Sequence, residues 1–137
     1  MIIVDTSVWV DFLNGLTNPE SQWLDLNLDR VRIGVPRIVL CEVLQGLRDD
    51  RDAALVHAQL MHFEIVALDD VALAVDAAQH YRRLRQAGRT VRTTIDLLIA
   101  TYCIREHHSL LHRDRDYDIF EERLGLSVIH AADVGAD

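Results

Sequence analysis

Met1-Ile2-Ile3-Val4-Asp5-Thr6-Ser7 opens the chain with an unbroken apolar run that ends abruptly on a carboxylate. Such a run, rich in β-branched residues and without alternation, reads as a strand buried on both faces, the kind found in parallel sheets covered by helices. Thr6 or Ser7 is placed to cap the helix that follows, which repeats Val8, Trp9, Phe12 and Leu13 at helical spacing. Asp5 is therefore expected at the C-terminal end of a central strand, where open α/β sheets form their ligand crevice.

Strands and helices alternate along the rest of the chain. Asn14-Gly15 stops the first helix, and Asn18-Pro19-Glu20 starts a second, expected to run to about Arg30. Val31 to Val35 alternates like a strand, and Pro36 opens a third helix through Leu47. A fourth begins at Asp49 and Asp50. Glu64 to Leu68 is the next strand, with Asp69 as the cap of a long helix from Val71 to about Ala87 that Gly88 ends. Thr94 is the expected cap of a helix from Ile95 to about His107. Ser109 to His112 is a short strand running into Arg113-Asp114, Asp116 to Leu124 a short helix or turn, and Leu126 to Ile129 a last strand. This alternation predicts an α/β fold, a three-layer α/β/α sandwich with a mostly parallel central sheet. The 137 residues fit a single domain over 1–137, with disorder expected only in the last few.

Composition narrows the function classes. A net charge of −8 argues against a protein that coats nucleic acid, although acids masked by divalent cations leave a nuclease open. All fourteen basic residues are arginine, so a phosphate-binding loop of the P-loop type and a two-component receiver domain both lack their lysine. No apolar run approaches the roughly 18 residues of a membrane span and no basic leader precedes the first strand, which points to the cytoplasm and to no membrane partner. Cys41 and Cys103 form no CxxC pair and are expected as buried thiols.

Four acids stand out against apolar flanks. Glu42 is the one charged residue in Ile38-Val39-Leu40-Cys41-Glu42-Val43-Leu44, and Asp96 shares its helix face with Ile99, Ala100 and Cys103. Asp114 follows a strand as Asp5 does. Some acids have a plainer reading: a solvent-facing Glu42, an Asp96 that complements the helix dipole, and turn residues at Asp116 and Asp118. Together, two strand ends and two helices each deliver a carboxylate. At about 4 Å and an effective dielectric near 20, each like-charged pair costs on the order of 4 kcal/mol, so such a cluster needs a cation or raised pKa values. Oxygen-only ligands without a convergent His/Cys set suit Mg²⁺ or Mn²⁺ rather than zinc.

Ile3-Val4-Asp5-Thr6-Ser7-Val8-Trp9, Glu42, Thr94-Ile95-Asp96-Leu97-Leu98-Ile99-Ala100 and Arg113-Asp114-Arg115-Asp116-Tyr117-Asp118 together resemble the PIN-domain ribonucleases, in particular the VapC-type toxins of bacterial toxin–antitoxin pairs. The resemblance spans essentially the whole chain. It implies an Mg²⁺- or Mn²⁺-dependent endoribonuclease that hydrolyses phosphodiester bonds of RNA. Asp5, Glu42, Asp96 and Asp114 would be its acidic quartet, with Asp116 as a fifth acid and Ser7 and Thr94 as supporting residues. Glu42 would bind metal, if at all through water, or orient the nucleophile. His112 departs from the small hydroxyl residue that such toxins often carry and is read as structural. Arg89, Arg92 and Arg113 are candidate phosphate contacts on an otherwise acidic protein.

The resemblance also implies a cognate VapB-type antitoxin, and a homodimer or larger toxin–antitoxin assembly. The first two helices carry Trp9, Phe12, Leu13, Leu16, Trp23, Leu24 and Leu28, more large apolar residues than one core-facing stripe requires, and a partner helix has room there. A core or homodimer role for the two tryptophans is the alternative. Two other functions remain open: a haloacid-dehalogenase-like phosphatase, which wants a second Asp where Ser7 stands, and a non-catalytic acidic binding module.

Overall fold

The computed structural model describes residues 1–134, so the expected disorder of the last few residues lies outside the described residues. The first strand, β1 (Ile2–Val4), holds Ile3 and Val4 at 0% exposure although their side chains leave opposite faces of the sheet. Burial on both faces requires a helical layer on each side. Leu110 and Leu111 of β4 (Ser109–Leu111) repeat the pattern.

Strands β2 (Ile33–Pro36), β3 (Glu64–Val66) and β5 (Ser127–Val128) complete a sheet in the order β3-β2-β1-β4-β5, with every described pair parallel. Connections leave β1 toward β2 on one side and return to β4 on the other, which makes the gap beyond β1 and β4 the topological switch point. Ile3 pairs with Gly34, and a Cβ built at Gly34 would stand 2.7 Å from Ile3 Cδ1 and 2.9 Å from Met1 Sδ. Glycine leaves room for those two side-chain ends, which a larger residue would push aside.

Helices α1 (Thr6–Leu13), α2 (Pro19–Asn27), α3 (Arg37–Gln45), α4 (Asp50–Leu60), α5 (Val71–Gln86), α6 (Thr94–Glu106), α7 (Asp118–Leu124) and α8 (Ala131–Val134) flank the sheet. Their starts follow local chemistry. Asn18 accepts from Ser21 N–H at 2.8 Å while the Ser21 hydroxyl accepts from Asn18 N–H at 3.1 Å, a reciprocal cap with Pro19 at the first helical position.

Several expected boundaries move. Asp5 itself caps α1, with Thr6 already helical, so neither Thr6 nor Ser7 is the cap. Asp70 rather than Asp69 caps α5, and Thr93 rather than Thr94 caps α6. In each case two adjacent polar residues compete, and the one with extended backbone wins because its oxygen then faces the free N–H groups of the first turn. The second helix stops at Asn27, the second strand begins at Ile33, and His107 ends α6 in the left-handed conformation at φ 57°. Cys103 is buried, and desolvation pushes its thiol up to about 12, but Cys41 lies on the exposed side of α3, one position from Glu42.

Candidate metal and active site

Asp5 leaves β1 at the switch point with its backbone N–H bonded to Leu111 O of β4 at 3.0 Å, which ties the ends of the two central strands together. Its side chain is buried and held from two sides. Oδ2 accepts from Ser7 N–H at 3.2 Å and from the Ser7 hydroxyl at 2.8 Å, while Oδ1 accepts from the Tyr117 hydroxyl at 2.8 Å. The Ser7 oxygen also accepts from Arg113 N–H at 3.2 Å, joining the start of α1 to the loop after β4.

Asp96 sits in the first turn of α6, its N–H donated to the Thr93 hydroxyl oxygen at 3.1 Å. Its Oδ1 lies 3.1 Å from the same Tyr117 hydroxyl that reaches Asp5. Burial raises the Asp96 pKa above the ordinary carboxylate value; the Asp5 and Asp114 charges push the same way, and the Thr93 and Tyr117 hydroxyls oppose them. Asp114 caps the tight turn Arg115–Tyr117 by accepting from Asp116 N–H at 2.9 Å. Asp96, Asp114 and Asp116 each present an oxygen within 4.8 Å of the others. Glu42 projects from α3, where its Oε1 accepts from the Thr6 hydroxyl at 2.9 Å.

The donor set fits a hard divalent cation: three carboxylate oxygens from α6 and the turn after β4, close enough to share an ion, with one of them destabilised as an anion. Asp5 is linked to that group through Tyr117, and Glu42 is linked to the start of α1 through Thr6.

The other expected residues divide. Thr94 is exposed at the first position of α6 and forms no hydrogen bond to the acids among the described residues; the cap it was expected to supply comes from Thr93. Arg89 is paired with Glu122 at 3.1 Å, and Arg113 lies 3.4 Å from both Asp11 and Glu20. Arg92, 3.8 Å from Asp116 and well exposed, is the arginine at the rim of the acids. His112 accepts from Asp114 N–H through Nδ1 at 3.1 Å, its ring lies 4.9 Å from that of Tyr117, and burial lowers its pKa. The neutral imidazole thus holds the Asp114 backbone in place.

Tyr117 and Thr6 are the site residues that sequence reasoning passed over. Tyr117 has 0% exposure and burial drives its phenol far above the ordinary range, so it remains a hydrogen-bond donor. The signal in the sequence is its place between two acids, three residues beyond the strand-end Asp114.

Known proteins supply an independent comparison. The family model for the PIN domain matches residues 2–122. The VapC ribonuclease Mb1587 of Mycobacterium bovis and ribonuclease VapC11 of Mycobacterium tuberculosis are each 33% identical over 122 residues, covering 87% of this chain and 90% of theirs. Among solved structures, a chain in the crystal structure of VapBC2 from Rickettsia felis bound to a promoter DNA fragment shares 22% identity, with a TM-score of 0.74 over 94% of this chain and 98% of that one. A chain of FitAcB from Neisseria gonorrhoeae shares 20%, with a TM-score of 0.74 over 96% and 99%. These two establish the same fold. With the match running from the first strand into α7, the chain belongs to the PIN-domain family.

Proposed function

We propose that the protein is an endoribonuclease of the VapC type, dependent on Mg²⁺ or Mn²⁺, and the toxin of a toxin–antitoxin pair. The observation that carries this reading is the set of carboxylates gathered at one switch point from β1, α6 and the turn after β4, in a chain one-third identical to proteins named as VapC ribonucleases. Asp96, Asp114 and Asp116 would hold the cation, with Asp5 beside them. The ion supplies positive charge against the charge developing on the phosphodiester and lowers the pKa of a water.

The chain's own groups do the rest. Ser7 and Tyr117 hold Asp5 still, and His112 fixes the Asp114 backbone. Glu42 Oε1 is taken by Thr6, and Oε2, which has no hydrogen-bond partner among the described residues, accepts the proton of the attacking water. The water oxygen bonds to phosphorus, the bond to the leaving ribose oxygen breaks, and that oxygen takes a proton from solvent. Arg92 contacts a neighbouring phosphate; Arg89 and Arg113 do so only by giving up Glu122, Asp11 or Glu20. The phosphatase alternative loses support because the position two after Asp5 is Ser7, whose hydroxyl donates to Asp5 rather than adding a second acid.

A protein partner follows from the other end of α1. Trp9, Phe12, Leu13, Leu28, Val31 and Phe63 line an apolar groove of about 590 Å³, and the Trp9 indole N–H is buried there without a partner among the described residues. An amphipathic antitoxin helix suits it, with the following chain carrying a basic residue to the acids. Leu24 is core and Leu16 and Trp23 lie outside the groove, so the landing surface is narrower than the sequence implied. Val71 and Val75, 80% and 60% exposed on α5, suit contact with a second copy. No helix is long and apolar enough to cross a membrane, and a cytoplasmic location matches an RNA substrate.

The deciding experiment incubates the partner-free protein with total cellular RNA in Mg²⁺, Mn²⁺ or chelator. Cleavage with either metal and none with chelator is expected. No cleavage under any condition, while a partner still binds, would identify a binding module instead.

A further inference from the structure

The Tyr117 ring packs between His112 at 4.9 Å and Phe120 at 6.5 Å, in a fully buried position that a phenylalanine would fill equally well. The core has no use for its hydroxyl. Burying a hydroxyl is costly unless it is hydrogen-bonded, and this one meets two carboxylates: Asp5 Oδ1 at 2.8 Å and Asp96 Oδ1 at 3.1 Å. The two acids come from β1 and α6, distant in sequence, and converge on a single O–H.

Resting on the divalent-metal reading above, we propose that Tyr117 is a positioning residue whose hydroxyl sets the separation and orientation of Asp5 and Asp96 for the cation. One shared O–H places partial positive charge between two like charges without adding an ionic group, and exclusion of water strengthens it. Asp5 has a second clamp in Ser7, so it keeps its orientation on one side when the phenol is lost. On Asp96 Oδ1 the Tyr117 hydroxyl is the one hydrogen-bond donor among the described residues; the Thr93 hydroxyl, which accepts the Asp96 backbone N–H, also favours the charged carboxylate but stands at the start of the helix, away from Asp5. Partners of this kind orient ligating carboxylates in metal sites generally, and their loss costs about ten- to hundredfold in metal affinity or activity.

The test compares wild type, Tyr117→Phe and Phe120→Leu for Mn²⁺ binding, read from the free-ion signal in electron paramagnetic resonance, alongside metal-free melting. Tyr117→Phe is expected to weaken Mn²⁺ binding about ten- to hundredfold while melting close to wild type. Phe120→Leu, which disturbs the same aromatic packing without touching a carboxylate, is expected to melt lower and bind Mn²⁺ as wild type does. RNA cleavage by Tyr117→Phe should shift to higher metal concentration with KM for RNA unchanged. Equal Mn²⁺ affinity in wild type and Tyr117→Phe, or a Tyr117→Phe protein that is unfolded without metal, would overturn the inference and leave the metal reading standing. A wild type that takes up no Mn²⁺ would overturn both.

Discussion

Helix α1, about 12 Å long at 1.5 Å per residue, joins two regions held together on opposite physical terms. At its N-terminus Asp5 is fixed by hydrogen bonds from Ser7 and Tyr117, beside acids whose mutual repulsion burial has made worse. At its far end Phe12 and Leu13 line an apolar groove with Trp9, where Trp9 and Phe12 meet edge to face at 6.1 Å. The first region opposes the stability of the isolated chain, and on the proposed reading a cation would relieve it. The second gains from whatever covers it. On the proposed function one helix joins the catalytic acids to the partner groove about two turns away, and substitutions should separate the two.

The largest separation is expected from the acids. Asp96→Asn should lower RNA cleavage by about 10²–10³-fold or more, while the antitoxin-like partner, still seated in the groove, loses only part of its contact with the acids and is retained in a pull-down. Asp5→Asn should lose cleavage similarly yet retain the helix cap, because Asn caps as well as Asp; Asp5→Ala should lose the cap too and melt lower, by about 1 kcal/mol. Equal melting of Asp5→Asn and Asp5→Ala would remove Asp5 from the start of α1.

Next comes the groove. Phe12→Asp should weaken partner binding by at least about 2 kcal/mol, roughly thirtyfold or more, while cleavage by the freed protein stays at the wild-type rate. If cleavage fell in step with binding, the two ends of α1 would not be independent.

How much of this the sequence shows differs between the ends. Asp5 and Asp114 are legible because a carboxylate that terminates a buried apolar strand is poorly suited to the core and well suited to a crevice at the strand end, and the parallel sheet then brings both strand ends to one place. The caps miss by one residue at Asp5, Asp70 and Thr93 because neighbouring polar side chains differ only in backbone conformation. Tyr117 is only faintly legible, by its place between two acids, because a buried aromatic looks the same in sequence whether its hydroxyl is idle or shared between two carboxylates. Arg89 and Arg113 look free until Glu122, Asp11 and Glu20 arrive from distant segments. Cys41 looks buried because its neighbours are apolar, yet α3 turns that face outward.

A smaller effect concerns pH. The folded protein holds the Asp96 proton more tightly than the unfolded chain does, since its carboxyl is raised above the ordinary 3.8. The stability this group contributes is fully present below 3.8 and is lost as pH rises through the raised value. Metal-free melting temperature should fall across that window in wild type, and Asp96→Asn should flatten that part of the profile. Identical profiles would mean that Asp96 is not strained as an anion.

The smallest expected effect is at the rim. Arg92→Gln should weaken RNA binding about equally across sequences and reduce the salt slope by about one, whereas Arg89→Gln, already paired with Glu122, should change it less. The reverse order would place the phosphate path on the Glu122 side.

Whether the acids at the head of α1 form a cation site is tested most directly by thermal melting of wild type and Asp96→Asn across a Mn²⁺ titration at neutral pH. Without metal, Asp96→Asn is expected to melt at or above wild type; Mn²⁺ should raise the wild-type melting temperature with concentration and raise that of Asp96→Asn far less. A wild-type melting temperature indifferent to Mn²⁺, or an Asp96→Asn protein that melts lower without metal and responds to it equally, would contradict the account.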